Sequence, residues 1–130
     1  TGTVFVSVND SDKLGILNIA RDFFELGFNL IGTEGTATVL KKNGLPSRQV
    51  FKVGEGRPNI VDEIKNKKIS LVINTPMGSR SRYDEQEIGR SCIRYGILAV
   101  TTLSGANAVL RAIRSSSDSK NVQSLQEYYS

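Results

Sequence analysis

The sequence predicts an α/β protein, a three-layer α/β/α sandwich around a five-stranded parallel sheet. Two patterns carry that prediction. Short apolar, β-branched runs recur along the chain, and amphipathic stretches with three- and four-residue apolar spacing sit between them. The connections are only a few residues long and marked by Gly and Asn. Strands that alternate with helices in this way form βαβ units, and such units build a parallel sheet covered on both faces.

Each element follows from local chemistry. Residues 3–8 (TVFVSV) form the first strand, and 9–12 (NDSD) supply turn and capping residues. Residues 13–26 form the first helix: Ile16, Ile19, Ala20, Phe23 and Phe24 share one face, and Arg21, Asp22 and Glu25 the other. Gly27 ends it in the left-handed conformation that helix C-termini favour. Residues 28–31 are the second strand. Residues 32–35 turn into a second helix through Ala37, Val39 and Leu40 that stops at Asn43-Gly44. Residues 49–53 are the third strand, 58–65 the third helix, 69–73 (ISLVI) the fourth strand and 82–95 the fourth helix, broken by Gly96. Residues 97–101 are the fifth strand and 105–113 the last helix. Residues 1–114 make one domain. Residues 115–130 begin with a polar tract (SSSDSK) and read as a linker and tail, with Val122, Leu125, Tyr128 and Tyr129 at helical spacing.

Right-handed crossovers leave few topologies for five such strands, and the order 3-2-1-4-5 is favoured over 2-1-3-4-5. Ligands then belong beyond the carboxyl ends of the strands, where the order reverses. The turns after strands 1 and 4 face that point, and the turn after strand 2 flanks it.

Composition removes many mechanisms. With no His, the chain cannot build a Ser-His-Asp triad, a Cys-His pair or a histidine metal cage. A single Cys92 excludes an intramolecular disulfide and a Cys-rich zinc site, and its place one turn after Ile88 suits a buried structural thiol. No apolar run reaches the ~18 residues that span a bilayer, so no membrane role is expected. The excess of 17 Lys and Arg over 13 Asp and Glu is spread over separate segments, including Lys41, Lys42, Lys65, Lys67, Lys68, Arg80, Arg82, Arg90 and Arg94. Nucleic acid binding would need a clustered basic face with aromatics between, so no nucleic-acid partner is expected. The chain begins with Thr, which leads us to expect processing or excision from a longer polypeptide.

Four places could carry chemistry. Thr33-Glu34-Gly35-Thr36 opens a helix, where free N–H groups, the helix dipole and a Gly suit an anion; it suits an ordinary capped helix entry equally. Asn74-Thr75-Pro76-Met77-Gly78 puts polar groups at the end of an apolar strand, and Asn74 can donate and accept to a base or ribose or simply close the turn. Lys13 and Lys52 become phosphate ligands only if they converge on one crevice. Residues 54–59 (GEGRPN) form a flap-like loop after strand 3 that is not a G-x-G-x-x-G fingerprint.

An ordered set of motifs resembles a known family: Ser7-Val8 with Asp12-Lys13, Glu25-Leu26-Gly27-Phe28, Thr33-Glu34-Gly35-Thr36-Ala37, Lys52-Val53, Glu55-Gly56-Arg57-Pro58-Asn59, residues 71–75 (LVINT), Arg94-Tyr95-Gly96 and Thr101-Thr102-Leu103. In order and spacing, over nearly the whole chain, they resemble the C-terminal allosteric, methylglyoxal synthase-like domain of the carbamoyl phosphate synthetase large subunit. Methylglyoxal synthase and the IMP cyclohydrolase half of a bifunctional purine enzyme share this domain type. The first uses a catalytic aspartate and histidines, and the second a lysine- and histidine-bearing segment after strand 3; this chain has no His.

The resemblance implies a non-catalytic regulatory module, without cofactor or metal of its own, in an enzyme of pyrimidine and arginine biosynthesis whose other domains use ATP and Mg. It implies UMP or IMP as effector, with Thr33, Gly35, Thr36, Lys13 and Lys52 at the phosphate and Ser7, Asn74 and Thr75 at the nucleoside. Thr101 matches an ornithine-contacting threonine, and Pro76 replaces a threonine of the bacterial turn. Implied partners are the rest of the large subunit, a small glutaminase subunit and, in some settings, a second copy. The implied location is the cytoplasm, or an organelle in a eukaryote. Two alternatives from other classes stand beside this: a small lyase of the methylglyoxal synthase type with Asp10, Asp12 or Glu55 as base, and a domain that keeps only a docking or oligomerisation surface.

Overall fold

The computed structural model describes residues 2–78 and 82–116. Arg80 and the tail residues Val122, Leu125, Tyr128 and Tyr129 lie outside them. The elements, in chain order, are β1 (Thr3–Ser7), a 3-10 turn (Asp10–Asp12), α1 (Gly15–Glu25), β2 (Asn29–Gly32), α2 (Glu34–Lys42), β3 (Arg48–Gln49), α3 (Ile60–Lys65), β4 (Leu71–Asn74), α4 (Arg82–Tyr95), β5 (Leu98–Val100) and α5 (Leu103–Ser115). The sheet order is β3-β2-β1-β4-β5 and every pairing is parallel, as the sequence predicts.

β1 is the central strand, and its alternation sorts the core into two layers. Val4, Val6 and Val8 enter one apolar cluster with Ile16, Phe23, Leu40, Leu110 and their neighbours from α1, α2 and α5. Phe5 points to the other, with Ile60, Ile64, Val72, Ile88 and Cys92 from β4, α3 and α4. The chain winds one way from β1 to β3 and the other way through β4 and β5, which places the crossover helices on opposite faces. Both faces of β1 are dry, so the strand has an unbroken apolar run instead of a polar alternate.

Several boundaries differ from the sequence reading, each for a local reason. The third strand was expected over residues 49–53, but the ladder holds only Arg48 and Gln49, beside an isolated bridge from Phe51 to Asn59. The Glu55 carboxylate accepts from the Lys52 amide at 2.8 Å and closes a turn there, so the chain leaves the sheet. α1 begins at Gly15 because Asn9 caps a separate 3-10 turn, accepting from Asp12 N. α3 begins after Pro58, with Asn59 and Asp62 forming a reciprocal capping box. Thr102, whose hydroxyl accepts from Gly105 N, starts α5 two residues before the expected Gly105. Gly27 ends α1 at φ 100° as predicted.

Candidate functional site

Ser7 and Asn74 end adjacent strands in register, and the sheet order reverses between them. This is where the strand-order rule places a ligand. β2 ends beside them at Gly32, where an added Cβ would lie 2.8 Å from the Val6 carbonyl oxygen; only glycine lets the start of α2 come this close to β1.

The threonines of α2 do not behave as ordinary caps. Thr33 is the N-cap residue, yet its side chain makes no capping bond. Its hydroxyl pairs instead with the Ser7 hydroxyl at 2.9 Å, both residues being buried. Thr36 is also buried and accepts from the Val8 amide at 3.1 Å. The first turn of α2 is thus left without a side-chain cap at the crevice, and Glu34 is its only acidic residue. Lys13 stands beside it, its Nζ 3.8 Å from where a Cβ on Gly35 would lie. That ammonium donates to the Val8 carbonyl at 2.9 Å and to Asp10 at 3.0 Å.

Asn9 stitches the two strand ends together. Its amide N–H donates to the Thr75 hydroxyl at 2.9 Å, its side chain donates to the Pro76 carbonyl at 2.8 Å, and its side-chain oxygen accepts from Ser11 and Asp12. Thr75 is therefore a buried brace. Sequence reasoning treated Asn9 as a turn and capping residue and not as a tie between strands, although NDSD followed by an NTP turn pairs two loops rich in side-chain acceptors.

Ser7, Thr33, Lys52 and Asn74 line one pocket, together with Met77, Asp84, Glu85 and Ile88. Four predicted residues therefore converge here. Lys13, Gly35 and Thr36 border the first turn of α2, Thr75 lies behind the β4 turn, and exposed Thr101 follows β5. The α4 wall was missed. Its signal was available: Ile88 faces the core, so residues three and four positions before it, Glu85 and Asp84, share its face.

That wall is anionic. Glu85 accepts from the Met77 amide at 2.8 Å. Burial pushes the Asp84 carboxyl above its ordinary range of about 3.8, with the Glu55 and Glu85 carboxylates adding to the rise and Lys52 opposing it. Of the alternative bases, Asp10 is fully exposed and paired with Lys13, while Glu55 is engaged by the Lys52 amide. Among the described residues no group of three or more His, Cys, Asp or Glu could hold a metal ion, and no helix is long and apolar enough to cross a membrane.

A five-stranded parallel sheet in the order β3-β2-β1-β4-β5 with helices on both faces fits an MGS-like domain. The family model of that description matches residues 15–101, and the chain belongs to that family. Its sequence is similar to carbamoyl phosphate synthase large chains: 46% identical to that of Nostoc sp. over 98% of this chain and 12% of the relative, and 45% identical to that of Archaeoglobus fulgidus with the same coverage. It is also 45% identical to the carbamoyl phosphate synthase large chain, C-terminal section, of Aquifex aeolicus, over 98% of this chain and 25% of the relative. The chain thus spans a quarter or less of these relatives. In fold it resembles the methylglyoxal synthase of Elizabethkingia anophelis, with a TM-score of 0.68 over 91% of this chain and 80% of that one at 17% identity.

Proposed function

We propose that this chain is a regulatory module of a carbamoyl phosphate synthase large chain and that its crevice binds a nucleoside monophosphate, UMP or IMP. The observation that carries the reading is the first turn of α2, free of a side-chain cap, bordered by Lys13 and flanking the point where the sheet order reverses. The phosphate takes the amides around Gly35 and the hydroxyls of Thr33 and Thr36, with Lys13 and Lys52 supplying charge. Ser7 and Asn74 meet the nucleoside, and Thr75 holds the β4 turn that presents Asn74. Thr101 lies on a separate surface, where it contributes to an ornithine site shared with the rest of the large chain. ATP and Mg act elsewhere in that enzyme, with a small glutaminase subunit as partner.

Regulation then needs the nucleotide to bind two states of the enzyme unequally, a coupling typically of ~1–3 kcal/mol. Calorimetric titration of the chain with UMP and IMP tests the reading. Binding that weakens about tenfold or more in Lys13→Ala supports it. No binding of either nucleotide overturns it, and formation of methylglyoxal from dihydroxyacetone phosphate would replace it with the lyase reading.

A further inference from the structure

The pocket between β1, β4 and α4 is narrow. Its cavity is only about 20 Å³, enough for one water molecule, whereas drug-sized ligands occupy ~300–1,000 Å³. Something in its wall must move before a nucleoside enters. The strand ends cannot easily do so, because Ser7 is bonded to Thr33 and paired in register with Asn74, and Asn9 ties β1 to the β4 turn. The opposite wall is held differently. Met77 is joined to α4 through its amide and the Glu85 carboxylate, at 2.8 Å, and both residues line the pocket.

We propose that Glu85 is a latch that keeps the effector pocket closed, holding the Met77 amide until an arriving phosphate dianion displaces the carboxylate by repulsion. The inference rests on the nucleotide reading for its ligand but not for its geometry. Lys52, the cation in the pocket lining, attracts the Asp84 carboxylate, which the Glu55 and Glu85 carboxylates repel. An anion that recruits Lys52 leaves these carboxylates less compensated, and like charges in a partly buried site repel strongly. The latch therefore answers to charge: a neutral nucleoside would not release it.

Two readouts on the chain with Glu85→Ala and Glu85→Gln test the latch. Without nucleotide, hydrogen exchange at the Met77 amide should rise about tenfold or more in Glu85→Ala. It should stay near wild type in Glu85→Gln, whose side-chain carbonyl still accepts. Stopped-flow association with UMP should accelerate by a similar factor in Glu85→Ala and not in Glu85→Gln, which has the acceptor without the charge. Met77 exchange at the wild-type rate in a folded Glu85→Ala chain overturns the latch, as does equal acceleration in both variants. If Glu85→Ala frees the Met77 amide while no variant binds UMP or IMP, the closure stands and the nucleotide reading fails.

Discussion

The two sides of the crevice are built on different principles. On the β1 side, hydroxyls and amides satisfy one another: Ser7 with Thr33, Thr36 with Val8, Thr75 with Asn9, and Lys13 with Val8 and Asp10. On the α4 side, the Asp84 carboxyl feels the Lys52 ammonium on one hand and the Glu55 and Glu85 carboxylates on the other, and Lys52, Asp84 and Glu85 line the same pocket. The first side is a pre-organised frame whose partners are already in place. The second is held by charges that a ligand can redistribute. A binding site made this way can pair a fixed anion cradle with a responsive wall, and the contrast can be broken from either side.

The largest expected effect concerns how firmly α4 is anchored below its acidic turn. Cys92 sits in the core cluster with Ile64 and Ile88, and burial pushes its thiol up to about 12 from 9.0. Between these values the native state keeps a proton that the unfolded chain has lost, so stability falls as pH rises above 9. The full loss is on the order of 4 kcal/mol once both states are ionised. Urea unfolding at successive alkaline pH values should show this slope in wild type and a shallower one in Cys92→Ala. Identical slopes would mean that water already reaches this end of α4, and the contrast would dissolve.

The next effect tests the frame. Thr36→Val and Thr75→Val each leave a buried or part-buried backbone N–H, of Val8 or Asn9, without its acceptor. Each should cost about 1–3 kcal/mol in urea unfolding. Ser restores the hydroxyl, so Thr36→Ser and Thr75→Ser should recover most of the loss. Losses below about 0.5 kcal/mol would show that these bonds are not structural braces.

Much of this was legible in the sequence, and the reasons are specific. β1 and β4 are built on the apolar runs 4–6 (VFV) and 71–73 (LVI), and the amphipathic period of α1 leaves little choice, so the βαβ alternation was plain and crossover handedness left few strand orders. Thr33 and Asn74 lie in the turns to which the strand order points, whereas Ser7 follows only from the family resemblance and Lys52 only from convergence on the crevice. The short β3 was not legible, because residues 49–53 (QVFKV) are rich in the β-branched and aromatic residues of a strand, and only the turn that Glu55 closes on the Lys52 amide takes them out of the ladder. The α4 wall was missed for a different reason. A surface helix with Asp84 and Glu85 in its first turn looks like ordinary dipole compensation until the sheet brings it against Lys52.

The smallest expected effect, and the one that separates the two sides most cleanly, is the pH response of Asp84. Its carboxyl is raised first by burial and then by the Glu55 and Glu85 carboxylates, against the pull of Lys52. An acid whose folded pKa lies above its unfolded value holds its proton longer in the native state. Stability therefore declines as pH climbs from the unfolded value, about 3.9, through the raised one. Asp84→Asn removes that ionisation, so the variant should match wild type at acidic pH and be the more stable of the two near neutrality, as read from urea midpoints. Adding Lys52→Met to wild type should steepen the decline, because the attraction that stabilises the ionised carboxylate is then gone. An Asp84→Asn variant that is less stable near neutrality would show that the Lys52 attraction outweighs burial and repulsion, and the α4 wall would then be as well compensated as the frame opposite.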